Sequence, residues 1–418
     1  MEKLVIEGNH HLKGEVEISG AKNAVLPVMT ASLLVDGEIN IFNVPDLRDT
    51  RTMAELMEVV GAKIQFSKNE MKVDATSVNN PVAPYDLVNK MRASFYVLGP
   101  LVSRFGKAIV SLPGGCAWGP RPVDYHLKGL EKLGAKVELE GGNIIAKAKK
   151  LIGNRVRFDF PSVGATGNIV MAAVMAKGET LIENAAKEPE IVQLCEFLVS
   201  MGAKIESIGT TEIKVQGVDR LVPHDVSIIP DRIEAGTFLI AGAALGKITL
   251  KNTIPKHLET VMEKLTEVGA EFEIKDDEIT VKQTKKLKAV DITTAVYPGF
   301  ATDLQAQWIA LMTIANGSSI ITDTIYHDRF SHVPELNRLG ANITVESNSA
   351  IVRGVKELVG APVRSTDIRA SASLILAGLL ANGITEVSHI HHLDRGYEKI
   401  EDKFVKLGAK INRMASSD

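Results

Sequence analysis

At about 150 residues per domain, a chain of 418 residues is long enough for two or three domains with substantial cores. Its 48 Lys and Arg against 51 Asp and Glu leave a formal net charge of -3, so no global basic field exists to hold a nucleic acid or an anionic membrane. Hydrophobic residues at 45% exclude a disordered chain, and two cysteines, Cys116 and Cys195, exclude a disulfide framework and fit a reducing, cytoplasmic setting. The opening MEKLVIEGNHH is charged at once and then reads as a strand, without the apolar core of a signal peptide. The longest apolar stretches, such as Trp308 to Ala315, fall short of the ~18 residues that a membrane span requires, so no membrane insertion is predicted.

Along the chain, the segments VVGAKIQF, KLGAKVEL, SMGAKIES, EVGAEFEI, RLGANITV and KLGAKINR place Gly61, Gly134, Gly202, Gly269, Gly340 and Gly408 about 70 residues apart, which is the signature of six repeated units. Before these glycines run amphipathic stretches: Met53, Leu56, Met57 and Val60, then Ile191, Leu194, Cys195 and Leu198, then Leu258, Val261, Met262 and Leu265. Their i, i+3, i+4, i+7 spacing predicts helices lying on a surface, each closed by a glycine in a left-handed cap. A second series, Gly37, Gly106, Gly178, Gly246, Gly317 and Gly383, follows segments such as NIVMAAVMAK, GTFLIAGAAL, QWIALMTIAN and SASLILAGLL, which are apolar all round and predict enclosed helices. Strands such as ETLIENA, KITLKNT and SSIITDT come next. One unit is therefore strand, buried helix, strand, surface helix and strand pair. The sixth unit ends without its strand pair, so residues 1 to 20 are predicted to complete its sheet. Three units per domain then give one domain over 21–229 and a second over 1–20 plus 230–418.

Aligning the units aligns the starts of the six buried helices at Lys22, Arg92, Ser162, Arg232, Asp303 and Arg369. A helix start already carries positive potential and unpaired N–H groups, so a cation there strengthens an anion site at the expense of the helix. The competing reading is that these cations pair with acids. Ser162, in SVGATGN, suits a helix cap and also a phosphate-binding turn. Asp303 is a lone carboxylate where most sister units place cations, either a catalytic base or a simple N-cap. Between Leu112 and His126, LPGGCAWGPRPVDYH surrounds Cys116 with glycines in a loop, with Arg121 nearby to tune a reactive thiol; the alternative is a stray surface cysteine. Cys195 lies on an apolar stripe and reads as packing. HIHH at 389–392 would put His389 and His391 on one face of a strand, with no evident third metal ligand, so no metal is predicted. No phosphate loop or dinucleotide fingerprint is present, and Arg395 before a surface helix adds another anion clamp.

Together the segments SGAKNA, MRASFYVLGPLVSRFG, PGGC, GPRPVD, SVGAT, ENAAKEPEI, PDRIEAGTF, PGFATDLQAQ, RFSHVPEL, DIRASASL and HLDRGYEKIEDK resemble the UDP-N-acetylglucosamine enolpyruvyl transferases over nearly the whole chain. The resemblance implies an α/β fold of two inside-out α/β barrel domains, each of three repeated units with buried helices and outer sheets, and an active site in the cleft between the domains. It implies transfer of an enolpyruvyl group from phosphoenolpyruvate to UDP-N-acetylglucosamine, in peptidoglycan synthesis, without cofactor or metal. Lys22, Arg121 and Arg395 would hold phosphoenolpyruvate. Asn23, Arg92, Arg121, Pro122, Val123, Asp124, Tyr125, Ser162, Val163, Gly164, Asp303 and Ile325 would hold the nucleotide sugar, with Arg232, Arg329 and Arg369 also facing substrate. Asp303 would be the base and Cys116 the acid, the latter also the target of fosfomycin. His327 and Asp328, before Arg329, depart from the Glu-Asn that the family pattern leads one to expect.

Overall fold

The computed structural model describes residues 2–112, 123–283 and 286–415, and these divide into two compact units, residues 20–112 with 123–229 and residues 2–19 with 230–415. Each unit contains three four-stranded sheets of one recurring topology. The pattern is plainest after residue 154. The strand Arg155–Arg157 runs parallel to Glu179–Glu183, with the helix Val163–Ala173 as the crossover that a parallel pair requires. The helix Pro189–Ser200 then leads to Lys204–Glu206 and Glu212–Gln216, an antiparallel pair whose second strand lies against Glu179–Glu183. Within Glu179–Glu183, Thr180 and Ile182 are buried while Glu179 is exposed, the period-2 pattern of a sheet with one face on the core.

Two classes of helix follow from two kinds of sequence. Arg232–Leu245 buries Ile233 through Leu245 without a break, and Ile368–Leu380 and Lys22–Ala31 are almost as fully enclosed. Glu259–Val268 buries only Val261, Met262, Leu265 and Val268, one stripe of a surface helix. The glycines that close the surface helices adopt positive φ throughout, from 87° at Gly134 to 113° at Gly269, where a Cβ would clash with the backbone. Gly246 departs from its series. Its φ of 163° is ordinary extended backbone, and what excludes a side chain is space, since a Cβ would lie 1.9 Å from the Leu12 carbonyl oxygen.

The N-terminal strands also depart from expectation. Glu2–Glu7 does complete the sixth unit's sheet, between Ile384–Ser388 and Lys410–Ala415. Leu12–Glu17 instead pairs in parallel with Gly246–Lys251, in the fourth unit's sheet. The cause is an exchange. Val226–Ser227, which precedes the Arg232–Leu245 helix in sequence, pairs in parallel with Glu38–Phe42 of the first unit, so the fourth unit takes its first strand from the chain's beginning.

Two buried helices do not begin as α-helix. Arg92 opens a 3-10 segment, Arg92–Val97, before Leu98–Phe105, and Asp303 sits inside a 3-10 turn, Thr302–Leu304, before Gln305–Met312. The HIHH segment is likewise not a strand. His389 has φ 59°, and His391 and His392 lie in the 3-10 helix Ile390–Arg395 with their rings 4.1 Å apart.

Candidate active site

In the unit formed by residues 20–229, Lys22 is the first residue of its helix and its Nζ lies 2.8 Å from Asp49 Oδ2. Asp49 comes from the first turn of the neighbouring surface helix, Arg48–Val59, so the acid-pairing reading describes Lys22 as the structure presents it. Asn23 and Arg92 are half-buried. Ser162 caps the Val163–Ala173 helix, its hydroxyl accepting from Ala165 N at 3.3 Å. Val123, Asp124 and Tyr125 stand half-buried at the start of the helix Asp124–Lys132. That helix is tied to the Val163–Ala173 helix by His126. Asn168 Nδ2 donates to His126 Nδ1 at 2.8 Å, and the other edge of the ring faces Gly164, where a Cβ would come within 3.3 Å of Nε2. The structure thus brings the 123–125 and 162–164 segments together. Burial, reinforced by the Arg92 charge and opposed by Asp124, pushes the His126 imidazole down to about 3, so it is neutral. Cys116, Arg121 and Pro122 lie outside the described residues.

In the unit that carries residues 230–415, Asp303 does not cap its helix. Its Oδ1 lies 2.8 Å from Arg329 Nη2 and its Oδ2 accepts from Arg369 Nη2 at 2.8 Å, with both arginine side chains 6% exposed and the aspartate 24%. Burial opposes the charge on Asp303, but the Arg369 and Arg329 guanidiniums outweigh it and hold the carboxyl well below the usual carboxylate range. Burial alone would likewise depress Arg369, and Asp303, Tyr397 and Asp231 reverse that, leaving it firmly charged. Asp303, Arg329 and Arg369 therefore form one cluster. Arg232 lies over the Tyr297 ring at 5.5 Å and lines a shallow hollow with His257, Pro298 and Leu304. Arg395 is half-buried at the end of its 3-10 helix, beside His392, whose imidazole burial pushes down to about 4. Ile325 is half-buried, and the unusual His327 and Asp328 are exposed.

Several neighbours of these residues belong to the site although the alignment of the repeats does not point to them. Asp231 accepts from Ile233 N and Glu234 N, and Asp367 from Arg369 N and Ala370 N, so each caps the helix at whose start an arginine stands. The cap offsets the cost of a cation there, and the spacings D-R and D-I-R are the signals that a search for N-caps would detect. Asp49 and Tyr397 carry no comparable local signal. Among the described residues no group of three or more side chains is arranged to hold a metal ion.

The family profile described as EPSP synthase (3-phosphoshikimate 1-carboxyvinyltransferase) matches residues 6–404. A protein of Desulfosudis oleivorans named UDP-N-acetylglucosamine 1-carboxyvinyltransferase is 54% identical over 99% of this chain and 100% of its own length. One of the same name from Thermodesulfovibrio yellowstonii is 55% identical, again over 99% of this chain and 100% of its own. Among solved structures, the enolpyruvyl transferase NikO from Streptomyces tendae superposes with a TM-score of 0.90 at 27% identity, covering 99% of both chains. An EPSP synthase from Acinetobacter baumannii, at 17% identity and a TM-score of 0.77 over 99% of this chain and 100% of its own, shares the fold. With a family profile spanning nearly all of it and relatives identical at more than half of their positions, the chain belongs to the enolpyruvyl (carboxyvinyl) transferase family, among the UDP-N-acetylglucosamine 1-carboxyvinyltransferases.

Proposed function

We propose that this chain transfers the enolpyruvyl group of phosphoenolpyruvate to the 3-hydroxyl of UDP-N-acetylglucosamine with release of phosphate, as a committed step of peptidoglycan synthesis in the cytoplasm. The names of the full-length relatives support the substrates. The observation that carries the chemistry is a half-buried carboxylate, Asp303, held between two buried arginines at the start of an enclosed helix. In the addition step Asp303 takes the proton of the sugar 3-hydroxyl as that oxygen bonds to C2 of phosphoenolpyruvate, and the C2–C3 π pair takes a proton at C3 from Cys116. In the elimination the Cys116 thiolate takes a proton back from C3, the double bond re-forms, and the bond from C2 to the phosphate oxygen breaks with its electron pair leaving on phosphate. Lys22, Arg121 and Arg395 clamp the phosphate and carboxylate of phosphoenolpyruvate and stabilise the charge that develops there.

Asn23, Arg92, the segment 121–125, Ser162 to Gly164 and Ile325 hold the nucleotide sugar, with Arg232 as a further anion partner. Arg329 and Arg369 act mainly by setting Asp303. A carboxylate held so low is a weak base until bound anions share the charge of the two guanidiniums, which raises its proton affinity while both arginines keep it oriented toward the sugar hydroxyl. Among the described residues no helix is long and apolar enough to cross a membrane.

Incubation with both substrates, followed by mass spectrometry and a phosphate assay, tests the assignment. Gain of an enolpyruvyl group by the nucleotide sugar together with released phosphate is expected. Conversion of shikimate 3-phosphate instead, or no product at all, overturns it. In Asp303→Ala, kcat should fall far more than nucleotide-sugar affinity, as it does when the lost group acts in the transition state.

A further inference from the structure

Asp323 follows the strand Ser318–Thr322 and is completely buried. A buried carboxylate is costly unless its lone pairs are used, and this one accepts four hydrogen bonds. Its Oδ1 takes Thr294 Oγ1 at 2.8 Å and the backbone N–H groups of Ile325 and Tyr326, each at 2.9 Å. Its Oδ2 takes the hydroxyl of Thr302 at 2.7 Å. That last bond decides the direction of a longer chain. A threonine hydroxyl has one proton, and once it is given to Asp323 the oxygen offers only lone pairs elsewhere. Arg329 Nη1 donates to that oxygen at 3.0 Å, while Arg329 Nη2 meets Asp303 Oδ1 at 2.8 Å. Thr302 is also the residue immediately before Asp303 in the same 3-10 turn.

We infer that Asp323 is a positioning residue for the transfer reaction: through the Thr302 hydroxyl it fixes the Arg329 guanidinium on Asp303, and through two backbone N–H groups it fixes the Ile325–Tyr326 turn. The inference rests on the reading of Asp303 as the base and of Ile325 as a nucleotide-sugar contact. One buried acid thereby sets both the proton acceptor and a stretch of the sugar-binding turn. The exposed His327 and Asp328 lie beyond the pinned residues.

The two arms separate by substitution. In Asp323→Asn the three donors at Oδ1 hold the amide oxygen in place, so the amide NH2 faces Thr302 and donates to one lone pair, which deprives the hydroxyl proton of its acceptor while leaving the other lone pair for Arg329 Nη1. The Ile325–Tyr326 arm survives, and the Arg329 arm loses the charged acceptor that fixed the hydroxyl's orientation without being severed. Thr302→Val severs the Arg329 arm without changing Asp323, and Thr302→Ser keeps the hydroxyl. Steady-state kinetics should show kcat lowered about tenfold or more in T302V and less than that in D323N, with a smaller change in KM for UDP-N-acetylglucosamine, and kcat recovered to within about twofold of the parent in T302S. D323A, which severs both arms, should also raise that KM about tenfold. Crystal structures of D323A and T302V provide a readout independent of turnover, in which Arg329 Nη2 should no longer rest on Asp303. Arg329 unmoved in both structures overturns the inference, as does T302S impaired as deeply as T302V. If the parent chain itself forms no enolpyruvyl sugar, the functional reading falls and the position of Arg329 in the variants alone decides the role of Asp323.

Discussion

Replacing Asp303 by Asn is the most direct test of the electrostatics of the cluster. The parent carboxylate divides its oxygens between two guanidiniums at 2.8 Å, and both arginine side chains are 6% exposed. An amide oxygen can serve one of them, while the amide NH2 opposes the other donor to donor. Breaking a buried ion pair from one side costs about 3–5 kcal/mol, because a charge stays behind without its counterpart. Arg329 keeps Thr302 Oγ1, and Arg369 keeps the Tyr397 hydroxyl and the Asp231 charge, so the lower end, about 3 kcal/mol, applies. For a unit of roughly 200 residues that is about 6–12 °C in the midpoint of its thermal transition.

The pH dependence carries the sign. Because the folded pKa of Asp303 is depressed, its contribution is fully present above the unfolded value near 3.8 and is lost only as pH falls below that, toward the folded pKa. Calorimetric or urea unfolding of parent and D303N should therefore differ by the same amount from pH 7 down to about pH 4 and converge only in stronger acid. A difference under about 1 kcal/mol, or one that disappears by about pH 5, would refute the reasoning.

In the other unit, Gly99→Ala would place a Cβ 2.4 Å from the Asn168 carbonyl oxygen, on a helix whose Gly99 N also donates to Asn168 Oδ1 at 2.7 Å; a loss of about 1–3 kcal/mol in urea unfolding is expected. His126, pushed down to about 3 from 6.5, makes that unit lose stability as pH falls between those values, by up to about 1.4 kcal/mol per pH unit. The slope should flatten by one proton in His126→Gln. An epoxide such as fosfomycin should alkylate Cys116 and stop turnover while Cys195, whose thiol burial pushes up to about 12, stays unmodified in peptide mass spectra.

The repeats were readable because each is written in local signals. A glycine past an apolar stripe predicts a helix end, and an all-round apolar segment predicts an enclosed helix, whatever lies elsewhere in the chain. Pairing between distant segments is a different matter. Nothing near Leu12 says that its strand will lie beside Gly246, and nothing in the composition of Val226–Ser227 says that it will serve the first unit's sheet. The same limit governs the candidate site. Lys22, Asp303 and Arg369 stand out by their position in the repeat, whereas Asp49, Thr302 and Asp323 become significant only through the groups they touch. His389, Ile390 and His391 carry the period of a strand, but the left-handed backbone of His389 breaks it at the first step.

A unit with its helices inside has a problem that ordinary α/β domains lack, since the helices have no solvent face to fix their rotation. In the unit that carries Asp303 the solution is polar and lies near the helix starts. Gln307 Nε2 reaches Thr237 Oγ1 at 3.1 Å and the Tyr397 hydroxyl at 3.0 Å, and Thr237 and Tyr397 meet at 3.1 Å. Thr237 and Gln307 come from two enclosed helices, and the Arg369 guanidinium of the third lies over the Tyr397 ring at 5.4 Å. Gln307 Oε1 is buried without a partner, so an apolar residue would spare a desolvation cost that the amide incurs. What the amide supplies in return is register. Hydrogen bonds have a geometry that sliding or rotating helices cannot keep, and dispersion contacts between aliphatic side chains tolerate such motion far better. Asp303 is held by arginines that come from other segments of its unit, so a small rotation of one helix start would separate a pair that now meets at 2.8 Å. The polar tie among the helices is therefore a condition for the charged cluster, and the cluster's location at the starts of enclosed helices follows from the same inside-out construction that makes the tie necessary.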